Sequence, residues 1–255
     1  MSRLDGKVAI VTGSGKGIGL RIAHELADLG ATVVVSDLDD VASEKAAAEV
    51  RGATSIPCDV RDEAQVQALV SRTVELHGGL DIMVPNAGVG VVAPLLATDL
   101  EAWRRVTSVN LDGVFLSIRY AAPAMIDSGG GSIVTVASIT ATAGSPLIGS
   151  YAAAKAAVVN LTKTAAVELR DHGVRANAVL PGFIDTDLVT DVIDDFEGQL
   201  GMQPGDFAAT VEAKQGRWGS PDDVARAVAF LADPAQSWVT GAGLTLDGGM
   251  SANLL

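Results

Sequence analysis

The chain predicts an α/β fold: one doubly wound, mainly parallel sheet of seven strands with helices on both faces. Three observations lead there. Short β-branched runs alternate with stretches of helical period along the sequence. A glycine-rich turn joins the first such run to the first helical stretch. The composition is 48% hydrophobic but only 4% aromatic, which suits Ala- and Val-lined helices packed closely on a buried parallel sheet. No repeat, low-complexity tract or linker divides the 255 residues, so one domain over 1–255 is expected.

Lys7–Thr12 is the first strand, β-branched and bounded by Gly6 and Gly13. Gly13-Ser14-Gly15-Lys16-Gly17-Ile18-Gly19 then leads into a helix over Leu20–Leu29. Glycines let backbone approach a phosphate, and a helix N-terminus offers free N–H groups and a positive dipole end. The spacing is not the usual G-x-G-x-x-G. A P-loop is excluded, because Ile10 and Gly17 stand where it needs Gly and Ser or Thr. Ala31–Ser36 is the second strand, ended by Asp37 and Leu38. An acid there can accept hydrogen bonds from the adenosine ribose hydroxyls and would repel a 2′-phosphate. Lys16 pulls toward a 2′-phosphate; Asp37 sits directly on the hydroxyl, so NAD is favoured over NADP. The plainer use of such an Asp is a helix N-cap, which Asp39 or Asp40 can supply instead.

Val41–Arg51 reads as helix and Thr54–Cys58 as the third strand. Asp59-Val60 closes it where an adenine edge would lie, and Asp59 is equally suited to cap the helix Glu63–His77. Leu80–Val84 is the fourth strand, followed by Pro85-Asn86-Ala87-Gly88. These small residues suit a tight turn; they also leave room for a ribose, with Asn86 tying the sheet edge. Leu100–Met125 reads as one long helix. Asn110 is mildly unfavourable inside it, so it is either a packed polar residue or one that bends the helix and frees a carbonyl for water. Gly131–Ala137 is the fifth strand, and Ser138 follows at the C-terminal edge of the sheet, where doubly wound proteins bind ligands.

Ser150–His172 is a helix without internal Gly or Pro. Tyr151 and Lys155 lie four apart and share a face. An ammonium about 4 Å from a phenol favours phenolate by roughly 4 kcal/mol at an effective dielectric of about 20, enough to bring a phenol toward general-base work near neutral pH. Such a pair is also common as a solvated surface feature. Val174–Leu180 is the sixth strand, ended by Pro181-Gly182. Phe183–Trp218 is long, acidic and interrupted by Gly198, Gly201, Pro204 and Gly205, which suits a substrate lid or a disordered stretch. Pro221–Ala232 is a helix capped by Ser220, and Gly243–Leu246 is the last strand.

A net charge of −13 argues against nucleic acid and anionic membrane as partners. Cys58 is the only cysteine, so no internal disulfide forms. Arg3, Asp5 and Lys7 break any apolar leader, and no stretch reaches the length of a membrane helix. A cytoplasmic protein is expected. His24, His77 and His172 share no ligand spacing, so no metal site is expected.

Together these motifs resemble the short-chain dehydrogenase/reductase family: Thr12-Gly13-x3-Gly17-Ile18-Gly19, Asp59, Asn86-Ala87-Gly88, Asn110, Ser138, Tyr151-x3-Lys155, Pro181-Gly182 and Thr186, in order over nearly the whole chain. Pro85 departs from the family's usual Asn. The resemblance implies a Rossmann-like fold, a nicotinamide dinucleotide cofactor and a homotetramer. It implies Tyr151 as catalytic acid/base, Lys155 lowering its pKa and holding the nicotinamide ribose, Ser138 on the substrate oxygen, and Asn110 supporting a water relay. It implies the glycine turn (Gly13, Ser14, Lys16, Gly17, Ile18, Gly19) on the pyrophosphate and Asp37 with Leu38 at the adenosine ribose. Asp59 and Val60 would flank the adenine, Asn86 to Gly88 the ribose, and Pro181, Gly182, Ile184 and Thr186 the carboxamide.

The expected substrate pocket draws on Ser138, Thr140, Tyr151 and an apolar set of Ile139, Leu147, Ile148, Phe183, Leu188 and Val189. The lid carries Asp185, Asp187, Asp191, Asp194, Asp195, Glu197 and Asp206 against Lys214 and Arg217. Acyl carriers would be repelled there, unless these carboxylates are simply a solvated face. An uncharged alicyclic, steroid-like, terpenoid or polyol alcohol is therefore the expected small-molecule substrate. The alternatives are an NADPH-dependent 3-oxoacyl-thioester reductase and a non-catalytic nicotinamide sensor.

Overall fold

The structure is a computed structural model describing residues 3–252, with backbone alone at 188 and 191. Seven parallel strands form one sheet in the order β3-β2-β1-β4-β5-β6-β7. They are β1 (Val8–Thr12), β2 (Thr32–Ser36), β3 (Thr54–Ser55), β4 (Ile82–Val84), β5 (Gly131–Val136), β6 (Val174–Pro181) and β7 (Gly243–Leu246). The helices are α1 (Gly17–Asp28), α2 (Asp40–Glu49), α3 (Glu63–His77), α4 (Leu100–Thr107), α5 (Gly113–Asp127), α6 (Gly149–Leu169), α7 (Asp187–Leu200), α8 (Asp206–Gln215) and α9 (Pro221–Ala232).

The strands alternate sides with period two, as a sheet covered on both faces requires. Ala9, Val11, Val33, Val35, Ile82 and Val84 meet α1 and α9 through Ile22, Leu26, Val224 and Val228. Ile10, Val34 and Met83 meet α3, α5 and α6 through Val66, Leu69, Val114, Met125 and Val158. Each large aliphatic buried this way contributes about 1.5–3 kcal/mol. From β1 the chain steps outward to β2 and β3, then crosses back to place β4 on the other side of β1. That reversal opens a crevice beyond the C-terminal ends of β1 and β4.

The elements depart from the sequence expectation in four places. Regular pairing of β3 stops at Ser55, three residues short. Pro57 has no N–H for a ladder, although Ile56 and Cys58 still donate to the carbonyls of Val35 and Asp37. The expected single helix over Leu100–Met125 is α4 and α5 joined by a π-helical turn at Ser108–Asp112. The 183–218 segment carries two helices, α7 and α8. Gly201 (φ +68°) ends α7 and Gly205 (φ +93°) precedes α8, both left-handed conformations that favour glycine. The helix expected over Ser150–His172 ends at Leu169 and tightens into a 3-10 turn. Among the described residues, no helix is long and apolar enough to cross a membrane.

Candidate active site

The crevice encloses about 730 Å³. Its floor is the glycine turn. Gly13 has φ +62°, and a Cβ there would lie 2.7 Å from Ala87 Cα. A Cβ on Gly19 would strike the Gly13 carbonyl and come within 2.8 Å of Ser14 Cα. Only hydrogen at these positions lets β1, α1 and the Asn86 turn meet. Lys16 caps α1 in an extended conformation with no side-chain acceptor on the first amides. Those N–H groups are therefore available to an anion. Gly17 and Ile18 line the same wall.

Asp37 is held by its neighbours: Oδ2 accepts from the Gly15 amide at 2.9 Å and Oδ1 from the Asp39 amide at 3.3 Å. The N-cap role falls to Asp39, which accepts from Val41 and Ala42. Leu38 stands exposed beside it as an apolar shelf of the cleft. Asp59 does not cap α3; Asp62 does. Asp59 instead clasps Arg61, whose Nε approaches at 2.8 Å and Nη2 at 2.6 Å, and that guanidinium holds its carboxyl below the usual range. Val60 is buried against Gly113. Asn86 ties the edge as expected: Nδ2 donates to the carbonyls of Thr12 and Gly13, each at 2.9 Å.

The far wall comes from α6 and the π turn. Lys155 is 3% exposed, and its Nζ donates to the Val136 carbonyl at 2.7 Å. The same nitrogen stands 5.5 Å from the centroid of the Tyr151 ring. The π turn brings Asn110, 0% exposed, to the same place. Its Nδ2 donates to Val89 and Val106 carbonyls at 2.8 and 2.9 Å, and its buried Oδ1 has no partner. A Cβ on Gly88 would lie 2.8 Å from that oxygen and 3.7 Å from Lys155 Nζ. Gly88 thus keeps open the gap between amide and ammonium.

Burial dominates the electrostatics of this pair. Burial pushes Tyr151 up to about 12, against a lowering hydrogen bond with Ser138. Burial pulls Lys155 down to about 8. Both charged forms lose solvation in the far wall of the crevice, and the ammonium donates to the Val136 carbonyl. Tyr151 retains some exposure to the cleft, and solvent reaching it opposes the rise.

Gly182, Ile184 and Thr186 follow β6 and its last residue, Pro181, along the opening. The Lys16 ammonium crosses that opening to Asp187 Oδ2 at 3.2 Å. Six expected site residues lie elsewhere, among them Ile139, buried in the turn after Ser138, and Leu147. The buried Ser14 hydroxyl donates to the Val11 carbonyl at 2.6 Å, turned into the sheet. Thr140 Oγ1 is buried without a partner, and Ile148 precedes α6, bridged to Ala93. None of the three lines the main cleft. Phe183 packs edge-on against Phe207 at 5.2 Å and Trp218 at 6.3 Å, anchoring the 183–218 segment. Val189 lines the cleft, while the Leu188 side chain lies outside the described residues. Arg61, Arg105, Val89 and Val109 line the cleft without having been expected. Arg61 follows Asp59 by two and Val89 follows Gly88 directly, signals that were legible. Arg105 lies in the last turn of α4 and Val109 in the π turn, both ahead of Asn110. Cys58 is also in the wall, buried, with its thiol pushed up to about 12 by desolvation. Among the described residues no group of three or more His, Cys, Asp or Glu is placed to hold a metal.

A family model described as enoyl-(acyl carrier protein) reductase matches residues 13–251. A cis-4-hydroxycyclohexanecarboxylate dehydrogenase of Sinomonas cyclohexanicum is 44% identical over 253 residues, covering 96% of this chain and 97% of that one. A short-chain type dehydrogenase/reductase from Mycobacterium marinum superposes with a TM-score of 0.90 at 37% identity, over 98% of this chain and 97% of its own. A gluconate 5-dehydrogenase from Burkholderia cenocepacia, solved with NADP and tartrate, gives 0.91 at 36% identity over 99% and 98%.

Proposed function

The chain belongs to the short-chain dehydrogenase/reductase family, oxidoreductases that act on CH–OH groups with a nicotinamide dinucleotide, and on that premise we propose that it interconverts an alicyclic secondary alcohol and its ketone, with NAD as cofactor. The observation that carries this reading is the meeting of Ser138, Tyr151, Lys155 and the unpaired Asn110 Oδ1 beside the glycine turn.

Bound there, a nicotinamide dinucleotide supplies or accepts the hydride. The chain's own groups handle the proton. Tyr151 takes it from the alcohol oxygen in oxidation and returns it in reduction. Ser138 hydrogen-bonds the same substrate oxygen and holds it toward the phenol. Lys155, with its pKa near 8, is still largely charged at neutral pH and opposes the desolvation that holds the phenol high. The positive charge of an oxidised nicotinamide works in the same direction. Asn110 Oδ1 is positioned to accept from a water that carries the proton outward.

Asp37 supports NAD: its carboxylate is fixed at the end of β2, while the competing Lys16 is engaged by Asp187. An alicyclic substrate is supported by the printed activity of the Sinomonas relative. Phe183–Trp218 serves as the substrate lid of a single domain. The exposed alanines of α6, Ala153 and Ala156, suit close helix packing in a homotetramer, and the enzyme is expected in the cytoplasm. A second reading, reduction of an acyl thioester, is favoured by the description of the matching family model and opposed by the acidic lid.

Absorbance at 340 nm, followed on cyclic alcohols, cyclic ketones and 3-oxoacyl thioesters with each dinucleotide, tests the reading. Turnover is expected on cyclic alcohols with NAD. Tyr151→Phe is expected to lose about 10²- to 10⁴-fold, the usual contribution of a positioned proton-transfer group. Thioesters outperforming cyclic ketones would overturn the substrate, and a Tyr151→Phe enzyme as fast as the parent would overturn the mechanism.

A further inference from the structure

We infer that Asp187, at the first turn of α7, is a cofactor-selectivity residue that acts by occupying Lys16. This rests on the proposed binding of a nicotinamide dinucleotide in the crevice. Lys16 is the basic residue of the glycine turn, on the same cleft wall as Asp37. A free ammonium there would pair with a 2′-phosphate, the one group that separates the two dinucleotides. It is not free: Nζ lies 3.2 Å from Asp187 Oδ2. The turn and the start of the lid also approach each other independently of that pair. A Cβ on Gly17 would stand 3.9 Å from Thr186 Cγ2, so the two segments meet across the mouth at a second point beside the ion pair.

Two carboxylates therefore disfavour a 2′-phosphate by different routes. Asp37, fixed by the Gly15 and Asp39 amides, repels it directly. Asp187 removes the only glycine-turn cation that could compensate. Because Lys16 and Asp187 are 74% and 71% exposed, the pair moves an equilibrium only about two- to fivefold. The same exposure makes it sensitive to ionic strength. The lid is thereby tied to cofactor choice as well as to the substrate.

The test is a thermodynamic cycle read by calorimetry on the intact protein. Dissociation constants for NAD and NADP are measured for the parent, Asp187→Asn, Lys16→Met and the double variant, at low salt. Asp187→Asn is expected to tighten NADP about two- to fivefold and leave NAD within about 1.5-fold. In the Lys16→Met background the same replacement is expected to change neither. NAD and NADP shifting together overturns the inference, because the effect is then a general change in the cleft. NADP tightening that persists without Lys16 overturns it too, because Asp187 then repels the phosphate directly. Failure of the parent to bind either dinucleotide sinks the functional reading together with this one. Binding with an unresponsive ratio sinks this one alone.

Discussion

Replacing Lys155 by Met tests how the crevice treats a buried charge. The ammonium is 3% exposed, and its pKa falls from 10.5 to about 8 through desolvation. Below about pH 8 folded and unfolded chains both carry the proton, and the folded state bears the full burial penalty. Between about 8 and 10.5 the unfolded chain binds more protons, so stability rises with pH. At about 1.4 kcal/mol per unit, raising the pH from 7 to 9.5 stabilises the parent by about 2 kcal/mol through this group. Tyr151, up at about 12, keeps its proton when folded; its contribution has the opposite sign and begins only near the unfolded phenol's pKa of about 10. Lys155→Met lacks the Lys term and leaves the Val136 carbonyl without its donor, a loss of about 1 kcal/mol. Urea denaturation of both proteins at equal concentration, at pH 7 and 9.5, isolates the effect because the other titrating groups cancel in the difference. The parent is expected to gain about 2 kcal/mol relative to the variant across that interval. A difference that stays constant, or falls, refutes the assignment of a desolvated, depressed Lys155.

Two further replacements probe the scaffold. Glu197 is 5% exposed, and its Oε1 accepts from the amides of Gly205 and Phe207 at 2.9 and 3.0 Å, clamping α7 to α8. Glu197→Ala leaves both donors unpaired, a local loss of about 1–3 kcal/mol, so limited proteolysis around 201–206 is expected to quicken about tenfold while the melting temperature moves little. Gly19→Ala forces a methyl onto the Gly13 carbonyl and Ser14 Cα; we expect a loss of about 1–3 kcal/mol, read as a drop in melting temperature, together with weakened dinucleotide binding.

Much of this arrangement was legible beforehand. Short apolar, β-branched runs located the strands, and in the folded sheet their faces divide: Ile10 to one layer, Ala9 and Val11 to the other. The glycine turn and the Tyr151/Lys155 spacing placed those residues on one crevice because they depend on local geometry. What was not legible depends on inserted or desolvated groups. Helical sequence continues on both sides of the π turn, so Leu100–Met125 read as one helix although Asn110 flagged the spot. The direction of the Tyr151 shift depends on how deeply two groups are enclosed, which spacing does not encode. Phe183 is apolar and follows β6, so it read as pocket; Phe207 and Trp218, distant in sequence, take its ring instead. Glu197 counted as one more surface acid, since the amides that donate to it lie across a loop whose path only the folded chain defines.

The single thiol has a practical consequence. Cys58 is enclosed, and its proton is held to about 12, so thiolate-directed reagents will leave it untouched at ordinary pH. A cysteine engineered on the outer side of α7 would be the sole reactive handle, without first deleting the native one. A fluorophore or spin label attached there would test whether α7 moves over the crevice in an otherwise unaltered protein.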